Sequence, residues 1–273
     1  MSTPWGAGFH APPVGAVDAS AYDRYIGRWS RLFVPALLSA ADLRVGYRVL
    51  DVATGSGEAA LEATSAVGAS GMMVGVDISP AMLEAAVVRM AGKPFFPVVA
   101  NGQSLPFRDA SFDAVLCHLG LMFFPEPALG LAEARRVLRP GFRAGVCVIS
   151  TAERAPMWGV LANTLCRYLP NLARELQVSF GLAGHGRLEG LLASAAFRDI
   201  CVETVTREGA YASFEEYWAA IESGPGLIPQ AYRLLPAPSR AEVQDAVRDR
   251  LTPFERDGRL VMSVEMMIGS GRA

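Results

Sequence analysis

A short apolar run that ends on a glycine turn sets the tightest limit on how this chain can fold. Arg48-Val49-Leu50-Asp51-Val52-Ala53 gives way to Thr54-Gly55-Ser56-Gly57, after which Glu58 to Ala66 carries a helical pattern. A strand that passes into a helix through Gly-x-Gly brings main chain close to whatever lies at its tip and aims N–H groups at it. The alternation continues downstream. Met72 to Asp77 reads as a second strand, Phe95 to Ala100 as a third, Phe112 to Cys117 as a fourth and Phe142 to Ile149 as a fifth. Ala81 to Met90 and Glu126 to Leu138 read as helices between them, with Ser79 as N-cap and Pro80 as first helical residue. Strands that are apolar throughout fit a parallel sheet covered on both faces, and right-handed crossovers make it doubly wound. In such a sheet the ligand crevice lies at the carboxyl ends of the strands.

Outside this region the pattern loosens. The apolar spacing of residues 22–43 predicts a helix interrupted near Pro35. After Ser150, helices are expected over Met157 to Leu169, Leu188 to Ala195, Phe214 to Ile221 and Ala241 to Leu251, with strands over Phe197 to Val205 and Arg259 to Ile268. The Pro/Gly-rich stretch Gly224 to Pro238 separates two of these helices. The expected organisation is a mobile arm over residues 1–21 followed by one domain over residues 22–273. Within it, lid helices occupy residues 22–43, the core occupies 44–211 and 259–273, and a helical cap occupies 212–258.

Composition removes several classes of function. Of 273 residues 51% are hydrophobic and 19% charged, which excludes a disordered chain. A net charge of -2 gives no global electrostatic case for nucleic acid or an anionic membrane. Cys117, Cys147, Cys166 and Cys201 contain no CxxC pair, and His10, His118 and His185 are equally scattered, so no metal site is expected. No apolar run is long enough for a membrane span, and the N-terminal stretch lacks the form of a signal peptide. Reduced thiols and a cytoplasmic location are expected; the oligomeric state is not legible.

Gly55, Gly57 and Ala60 also satisfy the GxGxxA form of a dinucleotide fingerprint, with Asp77 about 20 residues on. Either a nicotinamide dehydrogenase or a binder of another adenosine cofactor fits that much. Three further segments narrow the choice. Met73-Val74-Gly75-Val76-Asp77-Ile78-Ser79-Pro80-Ala81-Met82-Leu83 follows the glycine turn. Asn101-Gly102-Gln103-Ser104-Leu105-Pro106-Phe107 comes next, ahead of Ser111-Phe112-Asp113. Glu133-Ala134-Arg135-Arg136-Val137-Leu138-Arg139-Pro140-Gly141 closes the set. In order and spacing, from Val49 to Ile149, the chain resembles the class I S-adenosylmethionine-dependent methyltransferases, especially the branch of quinone-biosynthesis C-methyltransferases and small-molecule methyltransferases.

The resemblance implies a Rossmann-like sheet of seven strands, mostly parallel with an antiparallel last strand. It implies that Asp51 and the Gly55–Gly57 loop hold the methionine end of S-adenosylmethionine, with Ala53 and Cys117 nearby. Asp77 would accept from both ribose hydroxyls, Ile78 and Met82 would pack on the adenine, and Asn101 with Gly102 and Gln103 would read its edge. Asn101 stands where the family commonly has Asp, Phe142 follows Arg-Pro-Gly where a second glycine is usual, and Ala196 stands where Gly commonly precedes Phe197.

Methyl transfer from a sulfonium is an in-line displacement, so catalysis rests chiefly on holding the partners together and keeping water out. His118, at the end of the fourth strand, is the candidate general base for an acceptor that must lose a proton. Tyr25, Trp29, Met122 and Phe123 are the candidate acceptor-binding residues, and they imply a small hydrophobic or aromatic acceptor. Two alternatives stay open: an NAD(P)-dependent oxidoreductase, and an S-adenosylmethionine-binding protein without transferase activity.

Overall fold

The apolar runs form one sheet. In a computed structural model, residues 19–273 are described, and strands β1 (Arg48–Val52), β2 (Met72–Asp77), β3 (Phe96–Val99), β4 (Phe112–His118) and β5 (Leu138–Ile149) pair in parallel in the order β3-β2-β1-β4-β5. β8 (Arg259–Arg272) lies antiparallel between β5 and β6 (Arg198–Tyr211), and the two-residue β7 (Glu255–Arg256) pairs with β8 as a hairpin. The mostly parallel sheet with an antiparallel last strand is therefore present. Chain order reverses at β1 and β4, where Asp51 pairs both with Gly75 and with Leu116, so the tips of these strands flank the switch point.

Two groups of helices pack on the sheet. α3 (Val34–Ala40), α4 (Glu58–Val67) and α5 (Pro80–Met90) touch in succession, whereas α6 (Pro127–Val137) packs on α9 (Arg187–Ser194). Small residues set the approach of α4 to α5: a β-carbon on Gly57 would stand 3.1 Å from that of Ala86. The cap on α5 is the one expected, with the Ser79 hydroxyl accepting from the Met82 amide at 3.4 Å and Pro80 in the first turn.

Three local expectations change. His10 and most of the arm expected over residues 1–21 lie outside the described residues; Ala19 already opens α1 (Ala19–Tyr22). Pro35 does not interrupt a helix but sits in the first turn of α3, where its missing N–H costs nothing. The irregularity falls earlier, in a π-helical turn, Asp23–Gly27, followed by α2 (Arg28–Ser30) and a 3-10 turn, Arg31–Phe33. The Pro/Gly-rich stretch contains a helix, α11 (Leu227–Arg233), between α10 (Phe214–Ser223) and α12 (Ala237–Leu251). Both α11 and α12 pack on α7 (Pro156–Tyr168), α11 also meets α8 (Ala173–Leu176), and α10 packs on the π turn. Among the described residues no helix is long and apolar enough to cross a membrane.

Candidate active site

Backbone conformation at the strand tips builds the site. β1 ends at Val52; Ala53 follows with a left-handed φ of 57°, and the turn beyond it holds Gly55 at 56° and Gly57 at 82°. The Thr54 amide donates to the Val76 carbonyl at 2.9 Å and so ties the turn to β2. Beneath it Asp51 accepts from the Thr54 hydroxyl at 2.7 Å, while its Oδ1 has no hydrogen-bond partner. Burial pushes the Asp51 carboxyl up to about 7, against the Thr54 bond that favours its ionised form.

β2 ends in Asp77, a buried carboxylate whose two oxygens accept from the amides of Gly55 and Ser79, both at 2.9 Å. Burial raises its pKa, and the amide bonds oppose that shift. Past β3, Asn101 closes its own turn, its Oδ1 accepting from the Gln103 amide at 2.9 Å. The bond to an N–H identifies that atom as oxygen and leaves the side-chain NH2 as the free donor. Gln103 Oε1 accepts from the Glu126 amide at 2.7 Å, which fixes the start of α6. Glu133 and Arg136 of α6 hold the same loop through the Leu105 amide and carbonyl, at 2.7 and 3.0 Å.

These tips open onto a cavity of about 400 Å³. Of the residues singled out in the sequence, Ala53, Gly55, Asp77, Ile78, Met82, Asn101, Gly102, Gln103, His118, Tyr25, Met122 and Phe123 line it. Four do not. Asp51 lies under the turn, and Gly57 is used up in the α4–α5 contact. Cys117 is buried in the sheet, where burial pushes its thiol up to about 12. Trp29 is a core residue, 1% exposed, whose Nε1 donates to the Tyr211 hydroxyl at 3.0 Å. The spacing that placed it on a helix could not say which way that helix faces.

His118 lines the cavity with one ring nitrogen already engaged. Its Nε2 lies 3.1 Å from the Ser30 carbonyl, which can only accept, so Nε2 carries the proton. Nδ1 is buried without a partner, and burial pulls the imidazole down to about 4. The ring N–H is thus committed to Ser30, and burial disfavours the protonated form of the ring.

Several lining residues were not singled out as binding residues. Ile26 comes from the N-terminal segment, Glu175 and Ser179 from α8 and the turn after it, and Ile228 and Arg233 from α11. The signal for α11 was available: Leu227, Ile228, Ala231, Tyr232 and Leu235 follow helical spacing, and the surrounding Pro and Gly residues hid it.

Comparison with known proteins decides the family of the central part. Residues 50–147 match the methyltransferase domain family model. Residues 50–147 form a methyltransferase domain. An uncharacterized protein of Mycobacterium tuberculosis is 36% identical over 160 residues, covering 58% of this chain and 56% of its own length. The ubiquinone/menaquinone biosynthesis C-methyltransferase of Geobacter sulfurreducens is 32% identical over 169 residues, covering 56% of this chain and 66% of its own. Among solved structures, a putative methyltransferase from Bacillus halodurans superposes with a TM-score of 0.60 at 21% identity, covering 88% of this chain and 97% of that one. That likeness is one of fold. The chain spans little more than half the length of the curated relatives it matches first. The methyltransferase domain supplies the strand-tip wall of the cavity, whereas Tyr22, Tyr25, Trp158, Glu175 and α11 lie outside the matched residues.

Proposed function

We propose that this chain transfers a methyl group from S-adenosylmethionine to a small hydrophobic or aromatic acceptor. One observation carries the reading: Gly55, Asp77 and Asn101, from the tips of three neighbouring strands, meet on one wall of a cavity otherwise lined largely by apolar side chains. Asp77 keeps lone pairs beyond its two amide bonds, and a carboxylate at that place suits the paired hydroxyls of a ribose. Asn101 offers N–H donors, which suits a ring nitrogen of adenine rather than its amino group, because its carbonyl is already bonded. Ile78 and Met82 present the apolar surface on which the base would lie. Asp51 acts from below by holding Thr54, so its part in binding is to fix the turn.

Bound S-adenosylmethionine supplies an electrophilic methyl on a sulfonium. The chain's share is to place the acceptor and exclude water, which is worth most in a closed, apolar chamber. Tyr25, Ile26, Met122, Phe123, Trp158 and Ile228 form that chamber. His118 stays neutral beside it, so no second positive charge competes with the sulfonium. The relatives named for ubiquinone and menaquinone biosynthesis support a quinone-type ring among candidate acceptors.

The test is incubation of the full chain with methyl-labelled S-adenosylmethionine and a panel of hydroxylated naphthalenes and benzenes. Label recovered in an organic product supports the proposal. Firm binding of S-adenosylhomocysteine with no transfer to any member would favour a non-catalytic binding protein.

A further inference from the structure

We propose that Arg89 is a positioning residue that ties the segment covering the cavity to the glycine turn, so that the spent cofactor leaves only when the Arg89–Asp23 ion pair opens. The inference rests on the cofactor reading above. Arg89 stands on α5 with its side chain 18% exposed. Its Nε donates to the Ser56 carbonyl at 2.7 Å, and its Nη2 donates to Asp23 Oδ1 at 2.6 Å and to the Ser56 hydroxyl at 3.4 Å. Ser56 belongs to the turn beside the cofactor wall, and Asp23 opens the π turn of the covering segment. One guanidinium therefore grips the floor of the site and its cover together.

The cover reaches both parts of the cavity. Tyr22 and Tyr25, on either side of Asp23, both line it, and the Tyr22 hydroxyl lies 3.9 Å from where a β-carbon on Gly55 would stand. Beyond the π turn the segment is anchored in the core by Trp29, Phe33 and Leu37. The widened turn is thus where the front part of the segment meets a rear part fixed in the core, a position π turns often occupy near functional sites. The surrounding charges complete the latch. Arg31 stands 3.8 Å from both Asp23 and Glu58, and the Ser30 hydroxyl donates to Glu58. These bonds tie Asp23 back to Arg31 and α4, and Arg89 joins it to the glycine turn.

The test is surface plasmon resonance of the immobilised full chain with S-adenosylhomocysteine. In Asp23→Ala, both the association and the dissociation rates should rise, about fivefold, because a door that opens more often speeds entry and exit alike. Arg89→Met should raise dissociation at least about tenfold, since it also frees Ser56, and Arg89→Lys should recover part of the difference. The double variant should release no faster than Arg89→Met alone. Unchanged rates in Asp23→Ala, or faster dissociation with slower association, would overturn the proposal by showing no gate or a merely loosened site. Asp23 is 34% exposed at its side chain and touches only one end of the latch, so its variant decides the matter even where Arg89→Met fails to fold. No binding to the unaltered chain would instead remove the cofactor reading itself.

Discussion

The Ala53 methyl fills the space into which a β-carbon on Gly120 would project, so the tips of β1 and β4 interlock side chain against backbone. Ala53 and Leu119 are both left-handed, at 57° and 58°, a conformation costing a non-glycine residue about 1–2 kcal/mol. Gly120→Ala should therefore destabilise the chain by about 2 kcal/mol in denaturant unfolding. Ala53→Gly should be neutral or stabilising by up to about 1 kcal/mol, because strain relief offsets the added freedom of the unfolded chain. Combined with Gly120→Ala it should recover much of the loss, a non-additivity that distant sites would not show.

Asp77→Ala should weaken S-adenosylhomocysteine binding by more than about tenfold in calorimetry, as the ligand's hydroxyls lose a charged acceptor. It should also lower the melting temperature, since the amides of Gly55 and Ser79 lose their partner. Asp77→Asn, which can still accept one of them, should fall between.

The raised pKa of Asp51 gives a pH signature. An acid at about 7 in the folded chain and 3.8 unfolded contributes most below pH 3.8, and that contribution is lost as pH climbs toward 7. Relative to Asp51→Asn, the unaltered chain should lose about 4 kcal/mol of unfolding free energy between pH 3.5 and pH 8. Equal pH curves for the two proteins would show that the carboxyl ionises normally in the fold.

His118 should stay neutral through the physiological range. Its Cε1–H resonance should hold steady from pH 8 down to about pH 5, because burial has drawn its pKa to about 4. A midpoint near 6.5 would restore it as a candidate base.

The sheet was legible in the sequence because its central parallel strands β1, β2 and β4 are almost wholly buried and carry largely apolar runs, as Met73 to Val76 and Ala114 to Cys117 do. Asp77 and the glycine turn were legible because their roles follow from the backbone. The cover was not. Trp29 and Tyr25 share a helical spacing, yet Tyr25 sits within the π turn and lines the cavity, whereas Trp29, past the turn, points into the interior. Arg89 was invisible for a related reason: its partners, Ser56 and Asp23, are 33 and 66 residues away and become neighbours only once α5 packs on α4. The left-handed Ala53 was hidden because alanine carries no mark of that conformation.

The most direct measurement is a calorimetric titration of the purified chain with S-adenosylhomocysteine, set beside one with NADH. The account predicts saturable one-to-one heat with the first and none with the second. Silence with S-adenosylhomocysteine, or saturable heat with NADH alone, would contradict it.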